Sequence, residues 1–270
     1  MDLITCGSTR AQAPLITTII PCFNSADTLR RTLQSVHIQS TPTQIVIVDD
    51  GSEPGQARQI LRLGQKAGAK VLRIPDRQGP AAARNAGIEN SDTKYVAFLD
   101  SDDVWLPGKL AIQVSEMERK ELDFTYLPYA NVSRDRVSRM PVRDAIRRKE
   151  LLGNTVIGCS TVMLRRDFIG DRRFADAPCE DLAFWAELLG GDGQAHLATD
   201  EVMVLRHAGG RSRNKFKAAF RYWRTLRRSM RLSLAETTRH FIPYAVHAML
   251  KHWGPPNRRP VLPESDKIPA

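Results

Sequence analysis

Apolar positions along this chain come in short continuous runs separated by stretches with helical spacing. The β-branched run Leu15-Ile16-Thr17-Thr18-Ile19-Ile20 stops at Pro21 and predicts a buried strand. Leu29, Leu33 and Val36 then fall on one face of a helix that Asp27 is placed to cap. Ile45-Val46-Ile47-Val48 predicts a second buried strand, 56–66 a helix and 71–74 a short strand. A further apolar run, Tyr95-Val96-Ala97-Phe98-Leu99, ends at Asp100-Ser101-Asp102-Asp103, and a helix is expected from about Pro107. Near-continuous apolar strands alternating with helices predict an α/β fold, a mostly parallel central sheet flanked by helices.

Ligands of such sheets bind beyond the carboxyl ends of the strands. Those ends carry Pro21-Cys22-Phe23-Asn24, then Val48-Asp49-Asp50-Gly51-Ser52, then Leu99-Asp100-Ser101-Asp102-Asp103-Val104-Trp105. Carboxylates packed this closely repel one another unless a cation or strong donors hold them. Hard oxygen ligands suit Mg²⁺ or Mn²⁺, ions that usually bring a phosphate with them. The plainer alternative is an acidic turn capping the next helix. Gly79-Pro80-Ala81-Ala82-Ala83-Arg84-Asn85-Ala86-Gly87 reads as a turn into an Ala-rich helix. Its Arg84 either reaches a phosphate or a neighbouring carboxylate, or is a solvated surface residue.

The later sequence is less regular. Residues 134–149 are charge-rich and read as a mobile loop over the site, and 154–164 as a strand with small polar residues. Glu180 and Asp181 stand where a helix should begin, a position whose dipole favours acids. Phe216, Phe220, Trp223, Leu226, Met230 and Leu234 form an apolar stripe at helical spacing, beside a cationic stripe of Lys217, Arg221, Arg224, Arg228 and Arg231. That pairing suits either an anionic membrane surface or a helix packed on the preceding domain.

Length and charge refine the picture. At 270 residues, 42% of them hydrophobic, the chain suffices for one large α/β domain and an appendage. The net charge is +10, and residues 206–231 contain ten Lys or Arg with no Asp or Glu, so the rest is close to neutral. No apolar run reaches spanning length, and 1–14 lacks the pattern of a signal peptide. Cys6, Cys22, Cys159 and Cys179 show no metal-ligand or paired spacing and read as reduced thiols of a cytoplasmic protein. The expected layout is an N-terminal arm (1–14), a catalytic domain (15–213, divided into 15–105 and 106–213), a basic helical extension (214–252) and a disordered Pro-rich tail (253–270).

Taken in order and spacing, the four motifs from 19 to 105 resemble the inverting nucleotide-sugar glycosyltransferases of family two, which have the A-type (GT-A) fold. The resemblance runs from about 15 to 213. It implies a donor site built from Pro21, Asn24, Asp49, Asp50, Arg84, Asp100 and Asp102, with Arg206 and Arg211 toward the phosphates. It implies a divalent ion, Mn²⁺ or Mg²⁺, at Asp102 or Asp103, with His207 as a further ligand. Asp181 matches the general base and Glu180 is the fallback. The implied reaction is a single displacement with inversion, from a UDP-sugar by family habit, to a glycan or lipid-linked acceptor in surface polysaccharide or lipopolysaccharide synthesis. A peripheral contact with the inner face of the cytoplasmic membrane fits the basic extension. Leu205 departs from the family, where an aromatic residue often precedes the arginine. Other classes fit less well. A nucleic-acid binder leaves three acidic strand ends unexplained, a nucleotidyltransferase calls for a Gly-rich phosphate loop after the first strand, and a non-catalytic scaffold has no need of these carboxylates.

Overall fold

The computed structural model describes residues 13–133, 136–153, 157–207 and 215–253. Its first half alternates strand and helix: β1 (Ile16–Cys22), α1 (Ala26–His37), β2 (Gln44–Asp50), α2 (Pro54–Lys66), β3 (Lys70–Ile74), α3 (Pro80–Glu89) and β4 (Tyr95–Phe98). Then come β5 (Val104–Trp105), α4 (Lys109–Arg119), β6 (Phe124–Tyr126), β7 (Tyr129–Ser133), β8 (Arg136–Arg139), β9 (Ala145–Arg147) and α5 (Arg148–Gly153). A 3₁₀ turn (Cys159–Thr161) leads to β10 (Met163–Arg165), α6 (Arg166–Ile169), α7 (Glu180–Leu188), β11 (Gln194–Leu197) and β12 (Val204–His207). The chain continues through α8 (Lys215–Arg224), a π turn (Thr225–Ser229) and α9 (Leu234–Trp253).

The main sheet has eight strands in the order β3-β2-β1-β4-β10-β6-β11-β9, and β5-β12-β7-β8 form a smaller sheet of four. The strands β3, β2, β1 and β4 run parallel, as their apolar sequences require. β10 runs antiparallel to both β4 and β6, and β9 antiparallel to β11, so the second half of the sheet is mixed. Helix α3 lies very close to β1. A Cβ on Gly87 would stand 2.3 Å from the Ile19 side chain, so only glycine permits that approach. Phe98, Phe124, Phe174, Phe184 and Trp185 stack edge and tilt at 4.1–5.9 Å in the main core.

Several boundaries differ from the sequence expectations, each for a local reason. α4 begins at Lys109, not Pro107, because Gly108 takes a left-handed turn at φ 85°. Ser25, not Asp27, holds the N-cap of α1, and Asp27 lies inside its first turn. Within 154–164 the strand is confined to its end, the preceding residues forming the 3₁₀ turn, while 154–156 lie outside the described residues. The stretch 134–149 contains β8, which pairs with β7, and β9, whose Ile146 is buried in the main core.

The C-terminal helices are part of that core. Tyr222 and Leu226 are buried in the same cluster as the sheet aromatics, and Tyr222 stacks on Tyr244 at 4.1 Å. The even apolar stripe expected here does not survive. The run is not one helix: α8 gives way to the π turn, which holds the sealed-in Leu226, and residues 231–233 break the helix before α9, while Phe220 and Leu234 are 63% and 62% exposed. The tail beyond 253 lies outside the described residues.

Candidate active site

The strand ends open into one cleft of about 650 Å³. At one end, Asn24 sits just past β1 with a left-handed φ of 48°. Its N–H donates to Ser52 Oγ at 2.9 Å and its Oδ1 accepts from the Glu53 N–H at 2.9 Å, locking the β1 end to the β2 end. The Asp50 carboxylate accepts from the N–H groups of Gln78 and Gly79 at 2.8 and 2.7 Å, fixing the turn that enters α3. Gly79 has φ 97°, open to glycine and strained for other residues. Asp49 does not line the cleft. It accepts from Arg73 at 2.6 Å and from the Ser52 N–H at 3.1 Å. Phe23, which sequence reasoning passed over, lies on the cleft wall with the Arg77 guanidinium 3.9 Å over its ring. An aromatic residue left exposed at a polar strand end was the available signal.

The acidic turn crosses the floor. Arg84, 4% exposed, donates to Asp100 at 2.7 Å and to Glu180 at 3.1 Å, so it bridges carboxylates from two parts of the chain. That placement rules out the solvated-surface alternative. Burial works against the guanidinium charge, and the carboxylates of Asp100 and Glu180 more than restore it. Asp103 is buried, with Ser160 donating to it at 2.5 Å and Arg206 lying 3.4 Å away. Burial, then the nearby charge of Asp100, push its carboxyl up to about 7. Ser160 also accepts the Asp100 N–H at 3.0 Å, and its carbonyl accepts the Trp105 indole N–H at 2.8 Å. From the other side, the Thr32 hydroxyl lies 2.9 and 3.0 Å from the carbonyls of Ser101 and Asp103. Asp102 is half-buried on the cleft wall.

At the far end α7 begins with Glu180 and Asp181. The Asp181 Oδ1 accepts the Leu182 N–H at 2.8 Å. Burial, then the adjoining Glu180, raise its carboxyl above the ordinary aspartate range, with Arg84 opposing them. The cleft thus unites Pro21, Asn24 and Asp50 at one end with Arg84 and Asp100, Asp102 and Asp103 on the floor, and Glu180, Asp181 and Arg206 beyond. His207 closes β12 opposite Val132, and Arg211 lies outside the described residues.

No group of three or more His, Cys, Asp or Glu gathers as a metal cluster among the described residues. An Mg²⁺-like ion does not need one, since it takes one or two carboxylates and completes its shell with water and phosphate oxygens. The hard-oxygen donors of the acidic turn fit that requirement, Asp102 on the wall better than the enclosed Asp103.

A mixed sheet with acidic residues at its strand ends, and a carboxylate facing them across one cleft, defines a sugar-transferring enzyme of the GT-A type. The match to the Glycosyl transferase family 2 pattern covers residues 17–174, more than half of the chain, and the protein belongs to that family. It is 33% identical over 246 residues to TuaG of Bacillus subtilis (strain 168), named as a teichuronic acid biosynthesis glycosyltransferase, covering 88% of this chain and 97% of that protein. It is 27% identical to WfgD of Escherichia coli, a UDP-Glc:alpha-D-GlcNAc-diphosphoundecaprenol beta-1,3-glucosyltransferase, covering 88% of this chain and 95% of that one. Among solved structures, TarS 1-349 of S. aureus in complex with UDP-GlcNAc superposes with a TM-score of 0.64 at 17% identity, covering 84% of this chain and 70% of that chain. The mannosyltransferase PcManGT of Pyrobaculum calidifontis, in complex with GDP-Man and Mn²⁺, gives 0.64 at 15%, covering 91% and 77%. These structural likenesses show the shared fold.

Proposed function

We propose that this glycosyltransferase moves a sugar from a UDP-sugar to a hydroxyl of a lipid-linked glycan, with inversion, in the building of a bacterial surface polysaccharide. One observation carries the reading: Asp181 lies in the same cleft as the acidic turn and the Asn24–Asp50 end, with the Arg84 bridge tying the two sides together. The base binds at the Asn24–Asp50 end, with Phe23 offering a face to stack on. Arg84 and Arg206 are the cations nearest the diphosphate, and Arg84 also holds Asp100 in place. Asp102 is the principal metal ligand, and an ion held there supplies charge neutralisation to the departing diphosphate. Asp181 takes the proton of the acceptor hydroxyl, its raised basicity matching the task of a general base. Glu180 is committed to Arg84 and serves as a strut.

The acceptor class is supported by WfgD, whose name gives a diphosphoundecaprenol acceptor. Among the described residues no helix is long and apolar enough to cross a membrane. Exposed Phe220, Leu234 and Ile242 beside exposed Arg224, Arg228 and Arg231 suit contact with the anionic cytoplasmic face of one.

The test is a thermal-shift panel of UDP-, GDP-, dTDP- and CMP-sugars, each with and without Mn²⁺. A donor at about 100 times its dissociation constant stabilises by about 2.7 kcal/mol. A metal-dependent shift with UDP-sugars is expected, and a panel without any shift overturns the reading.

A further inference from the structure

One cation that lines the cleft comes from α8, outside the family-matched segment. Arg221, on α8, lines the same cleft as Cys179, Glu180 and Asp181 and is half-buried. The backbone that carries it is tied to the start of α7. The wholly buried Thr225 accepts the Cys179 N–H at 3.1 Å and donates to the Arg221 carbonyl at 3.0 Å. The residue before α7, two positions ahead of the proposed base, and the backbone of Arg221 therefore share one hydroxyl. Thr225 also opens the π turn, a local distortion frequent at functional sites.

We infer that Arg221 binds the anionic group of the acceptor, a diphosphate ester one sugar ring away from the attacked hydroxyl. This rests on the acceptor reading above. With Asp181 set against the hydroxyl, the anomeric end of the acceptor sugar points away from the donor, toward the α8 wall. A guanidinium there offers a planar fork that matches phosphate oxygens. The same helix and turn continue outward through exposed Arg224 and Arg228, a path of like charge for an anionic substrate.

Calorimetry on protein saturated with UDP tests this without a sugar acceptor, using farnesyl diphosphate, farnesol and inorganic pyrophosphate as probes. Farnesyl diphosphate is expected to bind at least tenfold tighter than farnesol, with pyrophosphate competing against it. Arg221→Gln should weaken farnesyl diphosphate at least tenfold and Arg221→Lys by less, both leaving UDP affinity unchanged. Equal binding of farnesyl diphosphate and farnesol by the parent protein overturns the inference and needs no variant. So does a fall in UDP affinity in Arg221→Gln, which would put the residue on the donor side. Failure of UDP itself to bind removes the donor reading and this inference together, whereas UDP binding without diphosphate recognition removes this inference alone.

Discussion

The Ser160 hydroxyl lies 2.5 Å from the Asp103 carboxylate, joining the 3₁₀ turn to the acidic turn. The same oxygen accepts the Asp100 N–H, so one buried side chain sets both ends of Asp100-Ser101-Asp102-Asp103. Ser160→Ala leaves Asp103 without that donor and should lower stability by about 1–3 kcal/mol in urea unfolding. It should also weaken metal-dependent donor binding, because Asp102 rides on the same turn. Ser160→Thr, which keeps the hydroxyl, should recover most of both losses.

Asp102 and Asp103 should separate cleanly. Asp102 faces the cleft, so Asp102→Ala should abolish the Mn²⁺-dependent part of the thermal shift and leave the unliganded melt nearly unchanged. Asp103 is enclosed by Ser160 and Arg206, so Asp103→Ala should lower the melt itself. Retained Mn²⁺ dependence in Asp102→Ala would move the metal assignment to its neighbour.

For Asp181 the expectation is a loss of turnover without a loss of fold. Asp181→Asn should bind UDP-sugar normally and lower kcat by about 10²–10⁴. A carboxyl with a raised folded pKa destabilises the ionised protein at neutral pH, so the variant should melt no lower than the parent. The base must be ionised to act. The acid limb of kcat/KM should therefore fall above the ordinary aspartate value as pH drops, and vanish in the variant. Turnover at the parent rate would remove the base assignment.

Lys109 is wholly buried with no hydrogen-bond partner for its Nζ among the described residues, 4.0 Å from the Trp105 ring. Burial lowers its pKa well below the ordinary lysine value. Burial disfavours the charged form that the unfolded chain holds freely, and this disfavours folding at neutral pH. Lys109→Met should raise the melting temperature near neutral pH. The gain should shrink as pH approaches the free-lysine pKa of about 10.4. A variant that melts lower at every pH would show that the contact with Trp105 outweighs the burial.

The nucleotide half was legible because its signals are local. Apolar runs stop at Pro21 and Asp100, and Gly79-Pro80 announces the start of α3. What escaped was tertiary. Ser160 meets Asp103 across 57 residues, and Thr225 meets Cys179 across 46, with nothing in either neighbourhood to mark the pairing. Arg84 was ambiguous for the same reason, since its partner Glu180 lies 96 residues away. The apolar stripe from Phe216 to Leu234 misled because it is not one helix: a π turn and a break at 231–233 divide it, and the π turn leaves no compositional trace.

Thr225, which secures the residue before α7, is translated after every strand of the eight-stranded sheet. A nascent chain that already carries every acidic residue of the cleft therefore still lacks the clamp on its base-bearing helix. Tyr222 and Leu226, arriving at the same moment, complete the main core. Synthesis thus orders the events: the nucleotide end can fold early, but the full cleft forms only once α8 has left the ribosome. A half-made copy lacks the Thr225–Cys179 contact, so the start of α7 gains its fixed place only with α8.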